Sequence, residues 1–109
     1  MAVVPLETRA ALEALLAEGA AGFVFKHSTR CPISSRADTE VTRFAHRHPD
    51  VPVHRVLVVE HRPVSLAVAE RLGVTHQSPQ AILVRDGNAV WDASHGGITA
   101  DALAGAWDA

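Results

Sequence analysis

The sequence predicts an α/β domain built on a four-stranded mixed sheet flanked by helices, in the order α-β-α-β-α-β-β-α. Three observations carry that prediction. Helix-patterned stretches alternate with short β-rich runs over the first three-quarters of the chain, as parallel strand–helix–strand units require. The last two β-rich runs are separated only by Asp86-Gly87-Asn88, a hairpin signal, so the sheet ends in an antiparallel pair. The chain has 109 residues, 48% of them hydrophobic, enough for one domain spanning 1–109 around one packed core.

The elements follow in order. Residues 8–18 are rich in Ala, Leu and Glu, and Leu12, Leu15 and Leu16 fall at the spacing of one buried helix face, with Gly19 as the stop. Residues 21–26 read as a short buried strand. Residues 32–48 read as a helix whose apolar stripe is Ile33, Ala37, Val41, Phe44 and Ala45, closed by Pro49 and Pro52. Residues 53–60 are β-branched and nearly continuously apolar at their centre, the pattern of a strand covered on both faces. Residues 63–72 read as a helix stopped by Gly73. Residues 80–85 and 89–93 are the two hairpin strands, and 98–107 is a last helix with Thr99 as its cap. Two strands joined through a helix form a parallel pair with a right-handed crossover. Adding the antiparallel hairpin gives the thioredoxin-like arrangement.

Cys31 is the only cysteine. It stands in Arg30-Cys31-Pro32-Ile33-Ser34, where the first strand hands over to a helix. Unpaired backbone N–H groups and the positive end of the helix dipole favour a thiolate there. Proline suits the first helical turn, where its missing N–H costs nothing. The segment reads as Cys-x-x-Cys with the second cysteine replaced by Ser34, so a disulfide at Cys31 requires a partner outside the chain. The bland alternative is a small buried hydrophobe. Ser34 is either a hydrogen-bond donor to the thiolate or an ordinary first-turn serine. Ser78-Pro79 immediately precedes a strand. A cis-proline there would let the preceding backbone pair with an extended substrate; an ordinary trans-proline at a strand start is the alternative. Arg30 and Arg62 are candidate contacts for a carboxylate-bearing thiol, or else solvated side chains. His27 is four residues before Cys31 and reads as structural or solvated rather than activating.

Other classes are disfavoured. Formal net charge is −2 with no basic block, so nucleic acid is not an expected partner. No run approaches the about 18 apolar residues needed to span a bilayer, and no signal peptide is evident. Seven histidines are present, but His46 and His48 lie two apart on a helix and no Cys/His spacing matches a metal site, so no metal is expected. A single thiol implies a soluble protein of a reducing cytoplasm. A cysteine hydrolase would need a histidine base, which nothing in the sequence pairs with Cys31.

Phe25-Lys26-His27-Ser28-Thr29-Arg30-Cys31-Pro32-Ile33-Ser34-Ser35 resembles the signature of the monothiol bacilliredoxins, the YtxJ-like proteins of the bacillithiol system. Val59-Glu60-His61-Arg62-Pro63-Val64-Ser65, His76-Gln77-Ser78-Pro79-Gln80-Ala81, and Ala93-Ser94-His95 with Ile98-Thr99 resemble further blocks. The chain departs from the pattern at Gln77, where the family favours Glu, and at Gly96, where it favours an aromatic. The resemblance implies a thioredoxin fold and a catalytic Cys31 that removes bacillithiol from mixed disulfides on cytoplasmic proteins. Arg30, Pro32, Ser34, Ser78 and Pro79 would surround the substrate. It implies no tightly bound cofactor, bacillithiol as the small-thiol co-substrate, and a reductase that recycles the protein. Bacillithiol carries a malate, which nearby cations suit. Three rivals remain: a redoxin using glutathione or coenzyme A, a non-enzymatic redox sensor, and a monothiol scaffold for a shared iron–sulfur cluster.

Overall fold

A computed structural model describes residues 3–109. Its sheet has five strands, in the order β1-β3-β2-β4-β5. The central strand, β2 (Ala21–His27), pairs parallel with β3 (Val53–Leu57) and antiparallel with β4 (Gln80–Arg85). The outer strands are β5 (Asn88–Ser94), antiparallel to β4, and β1 (Val4–Pro5), parallel to β3. The expected four strands are therefore all present, and β1 is an addition. It is two residues long, too short for any alternation to register in the sequence, and its proline is tolerated because the strand lies at the sheet's edge.

Residues alternate across β2. Phe23 and Phe25 face a core shared with α2 (Pro32–Arg47) and α4 (Ala100–Asp108). Val24 faces the opposite core, shared with α1 (Arg9–Leu15) and α3 (Arg62–Leu72). Phe23 anchors the first core edge-on against Phe44 and Trp91, with centroids 5.3 and 6.1 Å away. Both faces of β2 are thus covered, which is why its sequence is apolar without alternation.

Local chemistry sets the boundaries. Thr8 and Thr99 cap α1 and α4, each accepting an amide N–H three residues on at 3.1 Å. Gly73 ends α3 in the left-handed conformation at φ +66°. The hairpin turn is the two-residue Asp86-Gly87, both at positive φ, and Asn88 already belongs to β5. The Asp86 carboxylate accepts the Gly19 N–H, which ties this hairpin to the end of α1.

Three sequence expectations need correction. β3 ends at Leu57 rather than at residue 60, because the His61 N–H bonds back to the Leu57 carbonyl at 2.8 Å and turns the chain into α3. Val59 is consequently exposed. α1 stops at Leu15, three residues early. On α2 it is Ser34, not Ile33, that continues the buried stripe of Ala37, Val41, Phe44 and Ala45; Ile33 is 53% exposed.

Candidate active site

Cys31 is the N-cap residue of α2, in extended conformation, just past the carboxyl end of β2. Pro32 opens the helix, and the Ser35 N–H returns to the Cys31 carbonyl at 3.0 Å. The thiol is free and part-exposed. Its position follows from the sequence directly: an apolar strand drives the chain out through the core, and the Cys-Pro step starts the helix at its end.

Ser34, one turn on, is fully buried. Its hydroxyl hydrogen-bonds His27 Nδ1 at 2.7 Å and accepts the Ser28 N–H at 2.9 Å. It is a staple between the strand end, the loop and the helix start, and neither bond goes to the thiol. His27 is buried against Phe25, with ring centroids 5.5 Å apart. Burial holds its imidazole below the usual histidine range, against the opposing pull of Asp38 and Glu60. His27 is thus a neutral structural partner.

Ser78-Pro79 is cis and leads into β4, which pairs with the end of β2 through Gln80 and Lys26. The Pro79 carbonyl accepts the N–H of His95 at 3.1 Å. The backbone N–H and carbonyl of Ser78 have no hydrogen-bond partner among the described residues, and neither does its buried hydroxyl.

Two grooves flank α2. The larger, about 600 Å³, runs along Pro32, Ile33, Arg36 and Glu40 on one side and His95, Gly96 and Thr99 on the other. Glu40 is already engaged there, accepting the Ala100 N–H at 3.0 Å and an Arg43 N–H at 2.8 Å. Arg36 has no ion-pair partner among the described residues. The smaller groove, about 300 Å³, holds His27, Thr29, Asp38, Arg55 and His61. Arg55 Nε donates to Asp38 there at 2.8 Å, and His61 Nε2 lies 3.6 Å from a Glu7 carboxylate oxygen. Arg30 and Arg62 are both exposed and line neither groove. The cation that sequence reasoning missed is Arg36. The helical period held the signal, because Arg36 lies four residues from Pro32 and three from Ile33, on their face.

Lys26 was also missed. It is fully buried, and desolvation lowers its pKa from the ordinary 10.5 to about 8. Its ammonium donates to His76 Nδ1 at 2.9 Å. Below pH 8 both folded and unfolded chains carry the proton, so the burial cost is fully present. Between about 8 and 10.5 the unfolded chain binds more protons, so stability rises with pH. Lys26→Met is therefore expected to stabilise the fold by about 1–3 kcal/mol below pH 8. That advantage should shrink toward pH 10.5, as read by urea unfolding across the range. A pH-independent difference would contradict a buried ammonium.

No helix among the described residues is long and apolar enough to cross a membrane. Nor does any cluster of three His, Cys, Asp or Glu side chains among them offer a metal site.

Comparison with known proteins agrees with this geometry. A structure described as a candidate oxidoreductase with a thioredoxin fold matches at TM-score 0.89 and 32% identity, covering 97% of this chain and 94% of that one. Thioredoxin from Trypanosoma brucei brucei matches at TM-score 0.76 and 13% identity, over 97% and 88% of the two chains. Malassezia sympodialis thioredoxin matches at 0.78 and 10%, over 97% and 89%. At those identities the two thioredoxins speak for the fold alone. The protein is a thioredoxin-fold thiol–disulfide oxidoreductase with a single thiol. More narrowly, it belongs to the monothiol bacilliredoxin BrxC family, whose model matches residues 4–103.

Proposed function

We propose that this protein removes bacillithiol from S-bacillithiolated cytoplasmic proteins by a monothiol route. The observation that carries the reading is the lone Cys31 thiol at the head of α2, with a stapled serine where a resolving thiol would stand, beside a groove whose Arg36 has no ion-pair partner among the described residues. The Cys31 thiolate attacks the bacillithiol sulfur. The client's sulfur leaves as thiolate and takes a proton from water, and Cys31 holds the bacillithiol as a mixed disulfide. A second thiolate, from free bacillithiol or a recycling reductase, then attacks that bacillithiol sulfur and releases Cys31. With no second thiol in the chain, the adduct waits for this external partner.

The unpaired Ser78 backbone is the docking edge for the client's extended chain. The larger groove takes the small thiol, and Arg36 meets its malate carboxylates, with Arg30 the second cation. An exposed contact of this kind contributes roughly 0.2–1 kcal/mol and a sheltered one about 1.5–3. A bacillithiolated client should therefore be reduced faster than the same client carrying coenzyme A or cysteine, and the advantage should fall at high salt. Arg36→Ala should remove more of the preference than Arg30→Ala, because only Arg36 lines the groove. Equal rates for all three adducts would reject bacillithiol as the preferred thiol and leave a general monothiol redoxin.

A further inference from the structure

Lys26 and Gln80 are directly paired across β2 and β4, on the sheet face that Val24 and Ile82 bury against α1 and α3. Both are almost wholly buried, in positions that apolar side chains would fill without desolvating a polar group. Both reach the same short segment. Lys26 Nζ donates to His76, Gln80 Nε2 donates to the Thr75 carbonyl at 3.0 Å, and Gln80 Oε1 accepts the Gln77 N–H at 3.4 Å. Two central strands thus hold residues 75–77 from beneath, and the next residue is Ser78, whose backbone groups have no partner among the described residues.

We propose that Lys26 is a positioning residue for client docking: through His76 it pins the 75–78 segment, so that the free backbone edge of Ser78 stands ready for an extended chain beside Cys31. This rests on the reading of Ser78 as the client's docking edge. The chemistry of the pin explains a lysine there. An ammonium is only a donor, so His76 must present a bare Nδ1 and remain neutral. Burial and the nearby charges of Lys26 and Arg62 hold the His76 imidazole below its usual range, which keeps that acceptor available. The residues flanking Lys26 on the neighbouring strands, Val56 and Gln80, are uncharged, so from the sheet nothing else competes for its proton. A charge-assisted hydrogen bond is about twice as strong as a neutral one. The pin is therefore strongest while Lys26 is an ammonium and His76 neutral. It weakens above about pH 8, where Lys26 loses its proton, and again in acid, where His76 gains one.

The test compares Lys26→Met, His76→Ala and His76→Gln with the wild type on a protein carrying a small thiol in mixed disulfide. His76 is exposed, so its variants leave the core intact even if the buried substitution perturbs folding. Lys26→Met and His76→Ala should raise KM for the client about five- to tenfold with kcat changed less than twofold. His76→Gln, which keeps an acceptor for the ammonium, should recover most of the loss. The wild-type KM should rise above pH 8, and that rise should be missing in Lys26→Met. Hydrogen exchange at the hydrogen-bonded Gln77 amide should quicken in the first two variants, while β2 and β4 stay protected. A fall in kcat with KM unmoved, or unchanged exchange at the Gln77 amide, would overturn the proposal. If the wild type reduces no client at all, the docking reading fails with it, and exchange still decides whether the pin exists.

Discussion

Cys31→Ser is expected to bring disulfide exchange down to the uncatalysed background. Each step of the proposed route makes or breaks a bond to this sulfur, and a serine hydroxyl neither ionises near neutral pH nor forms a mixed disulfide. No other side chain can substitute. The chain has no second thiol, and the nearest hydroxyl on the helix face, Ser34, is buried and committed to His27 and Ser28. The fold should hold, with any change a gain, because Cys31 is the uncapped N-cap position of α2 and serine is a favoured residue there. The thiol is part-exposed and caps no helix amide, and substitutions away from packed or hydrogen-bonded features stay within about ±0.5 kcal/mol. Reduction of a bacillithiolated client, read by mass spectrometry beside a thermal melt, separates the two effects. Loss of activity with an unchanged or higher melt supports the assignment, and reduction above background would move the chemistry to another group.

Much of this arrangement was legible because it rests on local signals. The helix cap Thr99 combines a short oxygen-bearing side chain with apolar helical spacing, and Asp86-Gly87 is a turn with one common solution. The placement of Cys31 came from the strand–Cys–Pro–helix order alone, and Pro79 from its position before a strand in a fold already inferred. The misses are long-range. Whether 58–60 continues a strand depends on a turn into α3 that valine-rich sequence conceals. Ile33 and Ser34 exchange places against expectation because the buried position is defined by His27 and the Ser28 amide, contributed by a different element. Lys26 falls inside a run that reads as a buried strand, but only the pairing with Gln80 and the reach to His76 give a buried ammonium its place. Arg36 was passed over for Arg30 because nearness in sequence to Cys31 is a poorer guide than the helix face, and only the far wall from His95 to Thr99 turns that face into a groove.

Ser34 stands where a Cys-x-x-Cys pattern would carry its second thiol, and two substitutions separate its structural role from its place in the site. Ser34→Ala should cost about 1–3 kcal/mol, because it strips a partner from the buried His27 Nδ1 and from the part-buried Ser28 amide. Exchange at Cys31 should persist in the folded fraction, since the serine hydroxyl is turned to the staple and not to the sulfur. Ser34→Cys puts a thiol at the third position of the helix that Cys31 caps, and a cap side chain lies over the third residue's amide. A modest rotation away from His27 brings the two sulfurs together. On mild oxidation this variant should lose both thiols while remaining monomeric, and it should then expel bacillithiol from Cys31 without an external partner. Thiol titration with intact mass measures this directly. If oxidation yields only disulfide-linked dimers, the two positions do not share the helix mouth, and the Cys-x-x-Cys reading of the segment loses its geometric basis. If the internal disulfide forms, the monothiol route is a property of one side chain rather than of the fold, and the staple through His27 is what this chain has in place of the resolving step.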